Sequence, residues 1–329
     1  MLPEVLDLIA GKHITCYEDY PSFAGVCKSW RLAAARTHHN SNGPPSRFLS
    51  LMLAEKSDDH ECCELFLLSN KSIRKIRLPE IYGKERRSSC GWLLTVDTFP
   101  EFIYPVIWDG TIEKVYLLME SNLVFVKWRG ARKLGFCHIG DSKWTSVVED
   151  NGVRDITFYN GHVYSFDYDD TIRACNVNGK DPTVLVDVET MPEDVYDQDV
   201  YSAYIVGLDD GERKQLLVII KQKVLNDETY MTKSFKVLAY DLESGNWSYV
   251  KDFCMKTLFV GYTSSFWMED TMGVIKGNCI YYTDDGEYSY SEKGGRDMGI
   301  YHLSNGTIEP HFTGESCSHF TPPIWLQSM

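Results

Sequence analysis

The sequence of 329 residues contains no uninterrupted apolar run of about 18 residues, so it offers no candidate for a membrane-spanning helix. Its N-terminus has no basic segment ahead of an apolar core, and a secretory signal peptide is not expected. The ten cysteines form no C-x-x-C pair and a single adjacent pair, Cys62-Cys63. Scattered cysteines predict free thiols in a reducing compartment. The sequence therefore predicts an intracellular protein of the nucleus or cytoplasm, without a membrane partner.

Recognisable catalytic and metal-binding motifs are also missing. The chain has no phosphate-binding loop, no G-x-G-x-x-G, no G-x-S-x-G and no H-E-x-x-H. The pair His38-His39 has no third ligand nearby. The run Asp167-x-Asp169-Asp170 resembles the front of a calcium loop without its glycine and closing glutamate, and it predicts a turn between strands. We expect no catalytic residue, no metal and no cofactor.

Acidic residues outnumber basic ones, 47 to 33, so the net charge is −14. Residues 1–47 carry five basic and four acidic side chains, which leaves about −15 for the remainder. Between Asp181 and Glu212 there are ten acids and no Lys or Arg. Such a surface repels phosphate backbones, so no nucleic-acid partner is expected. The acidic run predicts a solvated loop, or alternatively a landing site for a basic partner.

Apolar residues near the N-terminus follow helical spacing. The two stripes consist of Leu2, Val5, Leu6 and Ile9, and of Phe23, Val26, Cys27 and Trp30. A unit of about 40 residues rarely folds without help, so these stripes predict a docking device for a partner. The alternative is a helical hairpin packed on the main body. Because Cys27 lies on a stripe, we expect a small buried hydrophobe there rather than a nucleophile.

Two blocks in this segment resemble an F-box. They are Leu2-Pro3-x-x-Leu6-x-x-Ile9 and Phe23-x-x-Val26-Cys27-Lys28-Ser29-Trp30-Arg31. F-boxes bind the Skp-type adaptor of SCF (Skp–cullin–F-box) ubiquitin ligases, so the resemblance implies such an adaptor and, through it, a cullin as partners. It implies the adaptor-binding residues Leu2, Pro3, Leu6, Ile9, Val26, Cys27, Lys28, Trp30 and Arg31. Trp30 would be the aromatic anchor. F-boxes usually have residues ahead of the Leu-Pro pair, which implies a clipped N-terminal edge.

A breaker cluster over residues 40–46 separates this unit from the rest of the chain. We expect an F-box over residues 1–40, a linker over 41–47 and a β-rich domain over 48–329. In that domain, short runs rich in β-branched and aromatic residues alternate with turn residues. The predicted strands are Phe48–Leu53, Leu65–Leu68, Val115–Met119, Leu123–Trp128, Asp155–Tyr159, His162–Phe166, Tyr201–Val206, Leu216–Lys221, Phe235–Tyr240, Cys279–Thr283 and Met298–Leu303.

Five strand–turn–strand hairpins share one form and recur along this domain. They are Phe66–Ile73, Phe136–Trp144, Ala174–Lys180, Ala239–Trp247 and Ile300–Thr307. Recurrence of this kind predicts a β-propeller in which each hairpin forms the outer two strands of a blade. The spacing favours six blades, with one incomplete blade around Trp92 to Trp108, while five or seven remain open. A β-sandwich with insertions is the competing architecture.

The C-terminal part carries a second resemblance. The runs Gly277–Asp285, Asp297–Tyr301, Gly306–Pro310 and Pro322–Trp325 are similar to plant F-box proteins with a C-terminal domain of unknown function 295, a kelch-related, propeller-like family. Relatives typically continue past residues 91–96 with another strand and an Asn-Pro turn, so the resemblance implies strands missing from one blade.

These resemblances together imply a non-catalytic substrate-recognition subunit of an SCF-type ubiquitin ligase. It would bridge a Skp-type adaptor to a substrate protein whose identity the sequence does not give. Two alternatives stay open: a non-ligase interaction propeller with a vestigial F-box, and an enzyme with its site in the central channel.

Overall fold

The structure is a computed structural model that describes residues 5–9, 26–30, 32–33, 49–55, 61–89, 91–97, 112–128, 133–147, 151–179, 181–195, 201–209, 211, 213–226, 229–269, 273–284, 297–314, 316 and 322–327. Helical backbone occurs at residues 5–9, 28–30 and 32–33. Short 3-10 turns occupy Pro79–Ile81, Met119–Ser121 and Glu193–Val195. The rest of the described secondary structure is β, which confirms the predicted mainly β class. A complete helical F-box is not shown.

Five sheets have four or five strands. The first contains β1 (Leu49–Met52), β2 (Cys62–Leu67), β3 (Ser72–Arg77) and the C-terminal β23 (Ile324–Gln327), in the order β23-β1-β2-β3. The next full sheet runs β6 (Ile112–Leu118), β7 (Leu123–Trp128), β8 (Leu134–His138), β9 (Thr145–Val147). The third runs β10 (Val153–Tyr159), β11 (His162–Asp167), β12 (Thr171–Asn176), β13 (Val186–Thr190).

The fourth and fifth sheets complete this set. The fourth runs β14 (Tyr201–Asp209), β15 (Lys214–Asn226), β16 (Thr229–Asp241), β17 (Asn246–Tyr249). The fifth holds β18 (Lys256–Val260), β19 (Phe266–Glu269), β20 (Cys279–Tyr282), β21 (Gly299–His302) and β22 (Ile308–Glu309), in the order β19-β18-β20-β21-β22. A separate two-stranded sheet pairs β4 (Lys84–Ser89) with β5 (Trp92–Asp97).

The sheets are arranged around a common axis, which makes the domain a β-propeller. Along the ring, β23 contacts β4, β4 contacts β6, β6 contacts β10, β10 contacts β14, and β14 contacts β19. Each of these strands is an edge strand of its own sheet, so the inner edges of successive sheets face one another. Apolar clusters fill the spaces between neighbouring sheets, as expected when each sheet face must be covered.

The described residues contain five blades rather than the predicted six. The two-stranded β4–β5 sheet lies between the first and second full blades, close to where the sequence predicts an incomplete blade. Residues 98–111, the second half of that predicted blade, lie outside the described part of the chain.

The ring is closed by pairing the end of the domain with its beginning. Strand β23 pairs antiparallel with β1, and Trp325 lies opposite Leu51. Trp325 is 1% exposed, and its Nε1 donates a hydrogen bond to the carbonyl oxygen of Val260 at 3.1 Å. The same indole meets the Phe259 ring edge-on, with centroids 5.2 Å apart. Residues from the first and last blades therefore share one core.

The predicted strands and hairpins are confirmed within the described residues. Leu123–Trp128 matches β7 at both ends, and each of the other predicted strands overlaps an observed one. All five predicted hairpins lie at the turn between the outer two strands of a blade. Phe66–Ile73 and Ala239–Trp247 include residues of both strands, whereas the other three end before the second strand begins. In the turn between β10 and β11, Asn160 and Gly161 have φ of 48° and 77°, the left-handed pair that a tight hairpin turn requires. The predicted Asp285-Gly286 turn lies outside the described residues.

Two irregular features set the fourth and fifth blades apart. The fifth blade has five strands, and its β18 pairs in parallel with β20. In the fourth blade, β14 pairs with β15 only as far as Gln222, while β15 and β16 continue to pair as far as Asn226 and Thr229. The β15–β16 hairpin therefore extends beyond its own blade.

Candidate functional sites

A cavity of about 180 Å³ lies on the axis of the ring. Inner strands from every sheet contribute to its wall; the lining includes Ser88, Ser89, Val115, Tyr116, Thr157, Phe158, Val206, Gly207, Phe266, Trp267 and Gln327. Hydroxyl groups recur in this lining, and the turn at Thr263–Ser265 adds three more. The channel is consequently a small polar opening rather than an apolar ligand pocket.

Hydroxyl hydrogen bonds connect the two-stranded β4–β5 sheet to its neighbours. The Ser88 Oγ lies 3.2 Å from Thr263 Oγ1 and donates to Ser264 Oγ at 3.0 Å. On the other side, Ser89 Oγ accepts a hydrogen bond from the backbone N–H of Leu117 at 3.1 Å. These contacts join β4 to the fifth blade on one side and to β6 on the other. The small sheet therefore connects the fifth blade to the second full blade.

A buried ion pair joins the second and third blades. Lys114 Nζ lies 2.7 Å from Asp155 Oδ1 and 2.9 Å from Oδ2, and both side chains are almost fully buried. Asp155 Oδ2 also accepts the backbone N–H of Ile205 at 2.9 Å, which reaches the fourth blade. One carboxylate therefore joins three inner strands. Its burial is tolerated only because the ammonium and the backbone N–H compensate the charge, so moving any of these strands would be costly.

Two neighbouring arginines of β4 are buried as well. Arg86 pairs with Glu55 at 2.8 Å, and burial lowers the pKa of its guanidinium while Glu55 opposes that shift. Arg87 pairs with Glu85 at 2.6 Å, donates from Nε to the carbonyl oxygen of Ile112 at 2.7 Å, and lies over the Tyr262 ring at 5.2 Å. The short sheet therefore attaches to the ring mainly through charged and polar contacts.

A third buried pair anchors the base of the long β15–β16 hairpin. Lys221 is 0% exposed, and its Nζ lies 2.9 Å from Asp297 Oδ2. The same carboxylate accepts the backbone N–H of Thr232 at 2.9 Å and its hydroxyl at 2.7 Å. Beyond this anchor Val224 and Leu225 are 47% and 59% exposed, so the end of the hairpin presents apolar side chains to solvent.

One arrangement of side chains resembles a nucleophile with its base. Cys279 Sγ lies 3.4 Å from His302 Nδ1, and His302 Nε2 lies 2.9 Å from Glu309 Oε1. Burial raises the pKa of the Cys279 thiol; nearby Lys276 lowers it and Glu309 raises it further. Because the thiol is protonated and only 1% of Cys279 is exposed, no substrate reaches the sulfur.

The aspartates that resemble a calcium loop are bound to an arginine. Asp167 ends β11, and Asp169 and Asp170 lie in the turn to β12, as predicted. Arg173 pairs with Asp167 at 2.5 Å and with Asp169 at 2.7 Å. The Arg173 hydrogen bonds lower the pKa of the Asp169 carboxyl. Across the described residues no group of three or more His, Cys, Asp or Glu could hold a metal ion, and no helix is long and apolar enough to cross a membrane.

The predicted adaptor-binding residues are distributed over short helical stretches. Leu6 is buried, Ile9 and Trp30 are half-buried, and Val26, Cys27 and Lys28 are exposed. Cys27 is thus not the buried hydrophobe that the sequence predicts. Leu2, Pro3 and Arg31 lie outside the described residues. Further apolar side chains in this region are exposed as well: Val5 at 41%, Leu8 at 76% and Leu32 at 52%.

The buried charged residues are the part that sequence reasoning missed. Lys114, Asp155 and Lys221 all lie inside strands, where a charged residue next to one β-branched residue was at most a weak signal. Their partners could not be found from the sequence, because Lys114 is 41 positions from Asp155 and Lys221 is 76 from Asp297.

The fold and the short N-terminal helical segments define a β-propeller protein with an N-terminal extension. The chain belongs to the KIB1-4 beta-propeller family, whose model matches residues 51–302. This result confirms the propeller, whereas the predicted label of domain of unknown function 295 is not confirmed.

Two Arabidopsis thaliana proteins are similar to this chain. "Putative F-box protein At5g55150" is 24% identical over 93% of this chain and 91% of its own length. "Putative F-box protein At5g60060" is 26% identical over 64% of this chain and 54% of its own length. These relatives support a plant F-box/propeller protein. A Bacteroides caccae protein of unknown function superposes with a TM-score of 0.42 at 13% identity, covering 84% of this chain and 99% of that one, and this likeness carries no argument about function.

Proposed function

We propose that this protein is a non-catalytic substrate receptor of an SCF-type ubiquitin ligase. The observation that carries the proposal is the similarity, over nearly the whole chain, to a relative named as a putative F-box protein. Exposed apolar side chains in the N-terminal helical stretches support it, because a surface of that kind needs a covering partner. The proposed division is an F-box over 1–40, a linker over 41–47 and the receptor domain over 48–329.

In this proposal the N-terminal residues bind a Skp-type adaptor, and through it a cullin. The contacts would come from Leu2, Pro3, Leu6, Ile9, Val26, Cys27, Lys28, Trp30 and Arg31. Trp30 would act as the anchor, since buried aromatic residues dominate many interfaces. Lys28 and Arg31 would pair with acids on the adaptor and speed association. Such a complex would work in the nucleus or cytoplasm.

The direction of the strands supports placing the adaptor and the substrate on opposite sides of the ring. Leu49 at the start of β1 pairs with Gln327 at the end of β23, so the chain enters the propeller at that end of the ring. The β15–β16 hairpin extends in the opposite direction, because β1 runs the same way as β15 within their respective blades. The substrate protein would bind on that opposite side. Ubiquitin transfer would then depend on proximity supplied by the other subunits.

The position of the β4–β5 sheet supports the proposal of a reduced sixth blade. Strand β4 lies in the ring of inner strands between β23 and β6, where an inner blade strand belongs. We propose that β4–β5 is the inner half of a reduced blade, tied to its neighbours by the serine hydroxyls of β4.

Co-expression with a Skp-type adaptor tests the receptor proposal. The wild-type chain should co-purify with the adaptor, and Val26→Asp and Trp30→Ala should each abolish co-purification. Val186→Asp is the matched control, because Val186 is 62% exposed on β13 of the propeller and lies far along the chain from the F-box. A wild-type chain that folds but ignores the adaptor would favour the alternative, an interaction propeller with a vestigial F-box.

A further inference from the structure

The outermost strands of two blades carry charges of opposite sign. Strand β3 of the first blade contains Arg74, Lys75 and Arg77 and no acid. Strand β13 of the third blade contains Asp187 and Glu189 and no base. The outermost strands of the other three full blades lack this pattern, because β9 and β17 carry no charged residue and β22 carries one. The contrast sets these two edges of the propeller apart.

Both strands lie at the ends of their sheets and are exposed to solvent. Among the described residues, β3 pairs only with β2, and β13 pairs only with β12. Five of the six residues of β3 are exposed, and Ile73 among them is 50% exposed. At the other edge, Val184 and Val186 are 52% and 62% exposed. An edge strand offers a row of backbone N–H and C=O groups to a further strand, and exposed apolar side chains add contact area.

Ion pairs within the first blade leave the edge at β3 positive. Arg77 lies 3.0 Å from Glu61, and Lys75 lies 3.9 Å from Glu64. Arg74 adds a third cation to the same strand, so two acids face three bases. Both pairs involve exposed side chains, and pairs of this kind contribute little to stability. They can therefore exchange partners at small cost.

The edge at β13 stays negative for a similar reason. Arg173 lies 2.7 Å from Asp187, but it also pairs with Asp167 and Asp169. One guanidinium thus serves three carboxylates, and Glu189 adds a fourth acid on β13. The Asp187 side chain is 74% exposed, so its carboxylate is accessible to a cation from outside the chain.

These charges select which edges can meet. Two copies of β3 placed side by side would bring cations together, and two copies of β13 would bring carboxylates together. Like charges on neighbouring strands are destabilising, whereas opposite charges are favourable. Repulsion therefore disfavours both symmetric pairings, and only β3 of one copy against β13 of another is attractive.

We propose that this protein self-associates head to tail, with β3 of one copy lying against β13 of the next. In the order of inner strands around the ring, β23, β4, β6, β10, β14 and β19, the first and third blades are three positions apart in both directions. The two edges therefore lie on opposite sides of the ring. An interface between two different patches leaves one of each unused at the ends, so it generates an open linear array.

Sedimentation velocity of the full chain tests the association and its electrostatic origin. At about 0.1 M salt, the Debye length of about 10 Å screens long-range repulsion between copies of net charge −14 but preserves contacts between strands. The mean mass should rise continuously with protein concentration up to about 100 µM, the range of a weak interface. At about 1 M salt the protein should be monomeric, because the Debye length is then about 3 Å. A monomer at the lower salt concentration would overturn the proposal, and so would association that resists salt, which would indicate apolar contacts instead.

Zero-length cross-linking identifies the two edges in the wild-type chain. Equal amounts of ¹⁴N- and ¹⁵N-labelled protein are mixed and treated with a carbodiimide, which joins an ammonium group to a carboxylate in contact with it. Lys75 of one isotope should be linked to Asp187 or Glu189 of the other. Links between isotopes that avoid both strands would overturn the assignment, as would links formed only within one isotope.

Charge reversal tests the specificity of the pairing. Lys75→Glu/Arg77→Glu reverses the sign of β3, and Asp187→Lys/Glu189→Lys reverses the sign of β13. Each double variant alone should associate at least about tenfold more weakly than the wild type, because its two edges then carry the same sign. An equimolar mixture of the two should regain association, since each reversed edge meets an opposite one. A mixture that associates no better than either variant alone would contradict the proposal.

The matched control is Lys143→Glu/Lys251→Glu. Both lysines are exposed and lie outside β3 and β13, and this double variant changes the net charge by the same amount as the reversal of β3. It should associate as strongly as the wild type. An equal loss in the control would mean that net charge, rather than contact between these strands, governs association. None of these outcomes bears on co-purification with the adaptor, so this inference can fail while the proposed function stands.

Discussion

Lys114 Nζ and Asp155 Oδ1 lie 2.7 Å apart between the inner strands of two blades, and the same carboxylate accepts the backbone N–H of Ile205 from a third. We expect Asp155→Ala to lower the free energy of unfolding by about 3–5 kcal/mol, because it leaves a buried ammonium without its counter-charge. Chemical denaturation measures this loss. The double variant Lys114→Met/Asp155→Leu should recover most of it, since it removes both buried charges together. A double variant as unstable as the single one would show that the Ile205 contact, rather than the ion pair, is the important partner.

The anchor at Asp297 should control the long hairpin of the fourth blade. Asp297→Ala removes the partner of Lys221 and two hydrogen bonds of Thr232, so we expect faster amide exchange and faster proteolysis at residues 223–232. Mass spectrometry of the fragments gives the site of cleavage. Asp187→Ala is the comparison, because that carboxylate is an exposed partner of Arg173 and its loss should leave the hairpin protected.

His311 should make folding depend on pH. Its pKa is about 4 in the folded chain against an ordinary 6.5, so only the unfolded chain takes up the proton as the pH first falls. The ring costs the folded state nothing above pH 6.5. As the pH falls from 6.5 to about 4, the free energy of unfolding decreases, and the loss reaches about 3 kcal/mol at pH 4. Urea unfolding of the wild type and of His311→Gln over this interval measures it. Parallel curves for the two proteins would mean that the imidazole does not contribute.

Gly207 should tolerate no side chain on the channel wall. A Cβ at this position would lie 2.4 Å from Cγ of Tyr159 on the neighbouring blade. We therefore expect Gly207→Ala to destabilise the fold by about 1–3 kcal/mol, the usual cost of overpacking. The midpoint of thermal unfolding reports this cost. A Gly207→Ala protein as stable as the wild type would contradict the close approach of these blades.

The sequence predicted local structure better than it predicted closure of the ring. Hairpins such as Ala239–Trp247 were predicted because alternation and turn residues are local signals. The number of blades was harder to predict from the sequence. Strand β4 (Lys84–Ser89) lies among the inner strands, but it is charged and lacks the usual apolar alternation. Its burial depends on partners such as Glu55 and Ile112, which become neighbours only in the folded ring.

For the candidate sites too, local features could be predicted from the sequence, whereas contacts between blades could not. A resemblance in residue order identified Val26 and Trp30 as docking residues, a prediction that the described geometry does not test. By contrast, no local pattern marks His311 as buried; its ring packs against Trp325, which comes from the strand that closes the ring. Sites that arise between blades require coordinates before they can be found.

Because residues 324–327 provide the strand that completes the first blade, the last core tryptophan, Trp325, leaves the ribosome long after the strands it must join. Throughout synthesis the nascent ring is therefore an open arc with apolar surface uncovered at both ends, a natural substrate for chaperones. Under the proposed function, residues 1–40 leave the ribosome before the propeller strands, so the adaptor would be able to bind them before the arc closes.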